Sequence, residues 1–356
     1  MPPFTFYAGR DEYRAEPLRA LTPLLRPAVV DADASRGGCD LPRRVWSWSE
    51  ADFVALPKVW DEYVRQGNVK TAADMASEAA AAGKVLIVWH TGDLNPIMPF
   101  HNGVVMVSAL ERSRRRANWH VAPRFIADPL PLHADGRLQT RDKAKHPRVG
   151  FCGFAAIGPV RLTYTLLSNL KFHAASSLRV VPFEPPPLVP ATLLRAKVLD
   201  VLAGSSDVET DFIIRKRYKA GAHGAGPDHW SVREFYGNIL STDYTVCVRG
   251  YGNWSIRLYE TLACGRIPIV IDTDCGLPFD STIDWKDLCV WVPAADVART
   301  AEYVVRFHDG LSPDAFRRRQ EACRAVWESR LTLTGFLRHF HEHFADIHDL
   351  ITHIWA

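Results

Sequence analysis

Apolar residues recur along the chain in short runs separated by polar, helical or irregular stretches. In the first half the runs read FTFYAG, VWSW, DFVALP, VLIVWH and VVMVS, each the length of a strand. An alanine-rich stretch, residues 71 to 83, ends at Gly83 just before KVLIVWH, which is a helix stop followed by a buried strand. These signals predict one α/β domain. Between Pro129 and Pro147 the chain is polar and charged with no period, and this predicts a linker. A second domain opens at RVGFCGF. It continues with a helix around 160–172, a Pro-rich loop at 182–190, a helix near 191–203, the strand DFIIR and a helix near 230–240. The strand YTVCVRG, a helix from Ser255 and the strand IPIVID follow, and from about Asp296 the pattern is mostly helical. Strands alternating with helices predict parallel βαβ units with helices on both faces of the sheet.

At 356 residues the chain is too long for one ordinary core and too short for three. The expected boundaries are 1–145, 146–330 and a helical tail over 331–356. A net charge of +3 excludes whole-molecule electrostatics as a reason to bind nucleic acid, so any basic site must be local. The seven cysteines, Cys39, Cys152, Cys247, Cys264, Cys275, Cys289 and Cys323, are scattered and never form C-x-x-C. That argues against a disulfide framework or structural zinc and for a reducing compartment. The N-terminal stretch lacks the pattern of a signal peptide, and no run approaches about 18 apolar residues. The expectation is a cytoplasmic protein.

The densest chemistry lies at RGYGNWSIRLYETLACGRIPIVIDTD, residues 249–274. A strand opens into Gly250-Tyr-Gly252-Asn253-Trp before Ser255 can cap a helix of about ten residues, and Gly265 ends it. The helix start would face out of the carboxyl edge of the sheet with free N–H groups and partial positive charge. Arg249 and Arg257 flank it and could neutralise a diphosphate without metal. Three readings compete. G-x-G-x-x-S with Asp272 some 20 residues on resembles a dinucleotide fingerprint. Asp272 and Asp274 form a D-x-D that could hold a divalent cation, or simply end a strand and shape a turn. In the third reading Ser255 and backbone N–H groups take a sugar-nucleotide diphosphate while Glu260 accepts hydrogen bonds from ribose or sugar hydroxyls.

Residues 241–293 bear on the choice. The S-x-R-x-Y-E helix (Ser255, Arg257, Tyr259, Glu260), the turn and strand Gly265 to Val270, L-P-F (Leu277 to Phe279) and I-D-W (Ile283 to Trp285) resemble the signature of the exostosin-like glycosyltransferases. ADFVALPKVW and RVGFCGF followed by Arg161 are weaker echoes upstream. The resemblance implies a GT-B architecture, two Rossmann-like domains facing a cleft, with the tail crossing back to the first domain. It implies inverting transfer from a nucleotide sugar, often a UDP-sugar, to an oligosaccharide, polysaccharide or lipid-linked glycan, with no metal or other cofactor required. Many members are anchored in the Golgi membrane. This sequence shows no anchor, which favours a cytoplasmic enzyme of polysaccharide biosynthesis. An NAD-dependent oxidoreductase and a catalytically silent glycan-binding protein remain the rival readings.

The remaining candidates each have a plainer alternative. Arg215, at the end of DFIIR with Lys216, Arg217 and Lys219 beside it, is a further diphosphate clamp or a solvated basic loop. Arg161 would meet phosphate or lie on the surface. An inverting transfer needs a base within reach of the acceptor hydroxyl. His90 and Asp93, just beyond a buried strand, and Asp128 in RFIAD are the candidates, each equally readable as structural. His339 and His343 have zinc-compatible spacing but suit an amphipathic terminal helix better. ERSRRR (111–116) would attract an acidic glycan or a peripheral membrane surface, or is a solvated face.

Overall fold

A computed structural model describes residues 4–9, 17, 20–26, 42–100, 103–155, 158–217, 221, 226 and 228–340. Cys39, Lys219, His343 and the rest of the tail lie outside the described residues. The chain forms two compact units. One comprises Met1–Pro123, Pro182–Glu184 and Thr332–Ala356, the other Arg124–Val181 and Pro185–Leu331.

The first unit holds six strands: β1 (Thr5–Tyr7), β2 (Arg43–Val45), β3 (Phe53–Ala55), β4 (Leu86–Trp89), β5 (Gly103–Val107) and β6 (Trp119–Val121). They pair in parallel in the order β2-β1-β3-β4-β5-β6. Every residue of β3, β4 and β5 is buried, as expected for strands covered on both faces. The alanine-rich segment is the helix Val69–Ala81, which buries Ala72, Ala76 and Ala79 along one stripe. VWSW is not a strand throughout: β2 ends at Val45, and Trp48–Glu50 is a 3-10 turn that Ser47 caps. The short β6 follows an arginine run and carries no periodic signal. The helix Leu333–Arg338 belongs to this unit, where Phe336 meets Trp89 at 5.8 Å and Phe340 meets Phe53 at 5.8 Å between ring centroids.

The second unit holds β7 (Arg148–Phe154), β8 (Glu209–Arg215), β9 (Tyr244–Cys247), β10 (Ile267–Asp272) and β11 (Val290–Pro293). All pair in parallel, in the order β11-β10-β9-β7-β8. The chain thus runs one way from β7 to β8 and the other way from β9 onward. The reversal between β7 and β9 is the topological switch point, outside whose carboxyl ends open α/β sheets bind ligands.

The polar segment expected as a linker is instead fastened to the second unit. Arg141 and Gln320 exchange main-chain to side-chain hydrogen bonds at 2.8 and 2.9 Å, and Arg141 Nε donates to Asp243 at 2.6 Å. Buried Arg266 donates to the carbonyls of Gln139 (3.0 Å) and Leu240 (2.8 Å). His308 Nε2 lies 2.9 Å from the Ala144 carbonyl. A segment without hydrophobic period can still be ordered when its backbone groups find side-chain partners. The units therefore divide between Pro123 and Arg124, and residues 124–145 go with the second sheet.

Candidate functional site

The ladder between β7 and β9 is only two pairs long, Val149 with Tyr244 and Gly150 with Thr245, whereas β7 pairs β8 as far as Phe154. Beyond Gly150 the two central strands part, and Arg257 fills the gap. Its Nη2 donates to the Cys152 carbonyl of β7 at 2.8 Å and its Nη1 to the Val246 carbonyl of β9 at 3.5 Å. The guanidinium lies 4.3 Å above the Phe151 ring and 5.5 Å from that of Phe235. A Cβ on Gly153 would stand 2.8 Å from Nη2, so glycine is what lets the guanidinium enter. Arg195 makes a second lace, donating from Nη1 to the Phe154 carbonyl and from Nη2 to the Arg249 carbonyl at 3.1 Å.

Arg257 makes no ion pair among the described residues, and its Nε has no hydrogen-bond partner. Burial pushes the guanidinium below its ordinary pKa, a trend that the nearby Cys247, Glu260 and Cys152 oppose. A half-buried cation held only by carbonyls and rings is a site that gains from an anion.

The helix Ile256–Ala263 starts beside it. Its buried side is Leu258, Tyr259, Thr261, Leu262 and Ala263, which leaves Ile256, Arg257 and Glu260 on the outer edge. Ser255 sits at the N-cap with extended backbone, yet its side chain caps nothing. With Leu258 N–H already bonded to the Ser255 carbonyl, the N–H groups of Ile256 and Arg257 and the Ser255 hydroxyl are the donors at this helix start. Gly250 N–H donates to the Trp254 carbonyl at 2.8 Å and closes the loop containing Gly252. The helix Pro159–Ser177, after β7, begins on the other side of the switch point, with exposed Arg161 in its first turn, 5.0 Å from the Phe154 ring.

Other expected ligands are occupied. Arg249 is buried and donates to the carbonyls of Val189 (2.9 Å) and Gly250 (3.2 Å). Asn253 donates from Nδ2 to the Thr273 carbonyl at 3.0 Å and accepts from Thr273 Oγ1 at 2.6 Å, tying the loop to the turn after β10. Arg215 is paired with Glu234 at 2.8 Å and also donates to the Ser231 carbonyl. Both oxygens of Asp272 are engaged: Oδ1 accepts from Asp274 N–H at 2.9 Å and Oδ2 from Trp291 Nε1 at 3.1 Å. Asp274 itself has left-handed backbone, φ 65°. Among the described residues no group of three or more His, Cys, Asp or Glu is placed to hold a metal ion. The six described cysteines are buried, and no disulfide joins them to one another.

The expected bases separate. Asp128 lies in the second unit, where Arg324 grips both its oxygens at 2.8 and 2.6 Å and Leu130 N–H donates to it at 3.0 Å. The hydrogen bond from Arg324 holds its carboxyl below the ordinary value against the effect of burial. His90 is 1% exposed, with Nδ1 3.2 Å from Asp61 and Nε2 2.6 Å from the Leu94 carbonyl. Asp61, which sequence reasoning missed, also accepts from Thr91 N–H at 2.8 Å. Burial would raise its carboxyl, but the bonds from His90 and Thr91 outweigh it and hold it low. His90 and Asp61 thus brace the turn that carries Asp93, and of the three expected bases Asp93 is the one whose residue is exposed.

Arg195 was also missed. It lies on the helix Ala191–Ala203 in the stripe Ala191, Val198, Leu199 and Leu202, which is buried. A lone cation on an apolar stripe was the available signal.

Residues 190–307 match the Exostosin GT47 domain. A probable glucuronosyltransferase of Oryza sativa subsp. japonica is 35% identical over 80 residues, 21% of this chain and 19% of that protein. A probable beta-1,4-xylosyltransferase of Arabidopsis thaliana is 31% identical over 86 residues, 24% of this chain and 20% of its own length. A probable glucuronoxylan glucuronosyltransferase of the same plant is 32% identical over 68 residues, 19% of this chain and 15% of its own length. The chain thus spans at most about a fifth of the curated relatives it matches. Among solved structures, the pneumococcal O-GlcNAc transferase GtfA in complex with UDP and GlcNAc aligns over 83% of this chain and 56% of its own, with 10% identity and a TM-score of 0.33, too low to carry an argument. The matched segment includes Arg195, the glycine loop, Ser255, Arg257 and Glu260, and over it the chain is similar to the exostosin-like glycosyltransferases.

Proposed function

We propose that the chain transfers a sugar, with inversion, from a nucleotide-sugar donor of the UDP type to a glycan hydroxyl, without a metal. The observation that carries this reading is the Arg257 guanidinium, lodged in the split between β7 and β9 with no ion pair among the described residues, beside the start of the helix at Ser255, whose side chain caps nothing. In this reading the donor diphosphate accepts from Ser255 Oγ, the first-turn N–H groups and Arg257, with Arg161 adding charge. These groups are fixed before the reaction and face the oxygen on which charge builds as the sugar leaves. Arg195, Arg249 and Asn253 hold the loop in shape. Glu260, on the same helix edge, takes donor hydroxyls. Asp93 is assigned as the base that removes the acceptor proton as its oxygen attacks the anomeric carbon.

The relatives' printed activities, glucuronosyl and xylosyl transfer, support sugar transfer by this chain as well; UDP as the carrier and a glycan as the acceptor belong to the proposal. A thermal-shift comparison of UDP with NAD tests the donor class, because a ligand that binds only the native state raises its midpoint. A shift with UDP and none with NAD is expected; the reverse would return the glycine loop to dinucleotide binding. Release of free sugar or glycan-linked sugar from a UDP-sugar panel then separates a transferase from a silent binder.

A further inference from the structure

The helix Pro159–Ser177 is inside out. Its buried positions are Asn169 and Ser176, and the Pro-rich loop covers that side through polar bonds. Asn169 Nδ2 donates to the carbonyls of Pro187 and Leu188, each at 3.2 Å, and His173 Nε2 lies 2.7 Å from the Pro186 carbonyl. The opposite stripe, stepping by three or four residues, carries Val160, Tyr164, Leu167, Lys171, Ala174 and, at the C-cap, Leu178. Val160 is 84% exposed and Tyr164 74%; Leu166 and Leu170 widen the stripe on one flank and are also exposed. An ordinary amphipathic helix points such residues at its sheet. Large apolar side chains massed on one outward face mark an interaction surface, where scattered ones would not.

The charge on this face says what covers it. No Asp or Glu occurs between Asp142 and Glu184, while Arg161, Lys171 and Arg179 are all exposed. We infer that the face docks on an anionic lipid surface. The helix lies in the plane of the membrane, its apolar stripe enters the headgroup boundary, and Lys171 and Arg179 meet anionic headgroups, Lys171 from the middle of the stripe on its flexible stem. No helix among the described residues is long and apolar enough to cross a membrane, so the contact is peripheral. A second copy suits the face less well. One helix stripe offers far fewer than the roughly 20–30 residues a side of a stable interface, and a two-fold contact would press a face with cations and no acids against itself. The inference is independent of the reaction assigned above.

Co-sedimentation of the full chain with vesicles tests it, using phosphatidylcholine alone and phosphatidylcholine mixed with phosphatidylglycerol. The chain is expected to pellet with the mixed vesicles, to stay in solution with the neutral ones, and to be released by salt. Tyr164→Asp and Leu167→Asp should lower the partition coefficient at least about tenfold and Lys171→Glu severalfold. Because all three positions are exposed, far-UV circular dichroism should not change. No pelleting with anionic vesicles, equal pelleting with both kinds, or variants that bind like wild type would each overturn the inference. So would a wild-type dimer that Leu167→Asp converts to monomer, since the occupant would then be a second copy.

Discussion

Arg257 Nη2 donates to the Cys152 carbonyl at 2.8 Å, across the point where the two central strands of the second sheet stop pairing. A side chain from the helix after β9 thereby satisfies a carbonyl of β7 that no strand reaches. The bond couples the sheet to the proposed donor site: the guanidinium that braces the split is the same cation proposed to meet the donor diphosphate.

Gly153→Ala probes that coupling without removing the charge. The new methyl would meet Arg257 Nη2 at 2.8 Å and the Phe151 ring at 3.4 Å, so the guanidinium has to move. We expect a stability loss of about 1–3 kcal/mol by urea denaturation, together with weaker UDP binding. An unchanged UDP affinity would mean that the position of Arg257 does not matter to the ligand.

Asp128 is predicted to stabilise the fold and to take no proton in catalysis. Arg324 depresses its carboxyl pKa in the folded state. The contribution is therefore present above the unfolded value, about 4, and is lost as pH falls through the lower folded value. Asp128→Asn should unfold more easily than wild type at neutral pH, and the difference should vanish in strong acid. Transfer by the folded variant should keep its kcat. A gap that persists undiminished in strong acid would contradict the pairing.

Metal removal should leave transfer intact. Both Asp272 oxygens already accept hydrogen bonds, from Asp274 N–H and Trp291 Nε1. Activity should survive chelation, and Asp272→Asn should cost stability more than activity. Loss on chelation with recovery in manganese would restore the cation reading of D-x-D.

The elements of the proposed donor site were legible in the sequence because they are local. Glycine loop, Ser255, Arg257 and Glu260 sit within a dozen residues, and strand–loop–helix periodicity places them at a sheet edge. The roles of the arginines were not legible. Arg249, Arg215 and Arg257 look alike in one dimension, yet Arg249 turns to the Val189 carbonyl 60 residues away and Arg215 to Glu234. Arg257 rests on the strand carbonyls of Cys152 and Val246. The segment 129–147 failed as a linker for a related reason: its order comes from Asp243, Arg266, His308 and Gln320, which no window of the sequence brings near it.

His90 and Asp93 are predicted to respond differently. His90 is buried between Asp61 and the Leu94 carbonyl, so His90→Ala should cost about 1–3 kcal/mol of stability while the folded fraction retains turnover. Asp93→Asn should leave stability alone and lower kcat by roughly 10²–10⁴ with the donor KM unchanged. The opposite pattern would move the base to His90.

Calorimetric titration with UDP in the presence of a chelator tests the central claim most directly. The wild-type chain should bind one UDP per molecule, and Ser255→Ala and Arg257→Ala should each weaken binding, Arg257→Ala by about tenfold or more. No heat with UDP in the wild type, or an Arg257→Ala chain that binds UDP as tightly as wild type, would contradict the account.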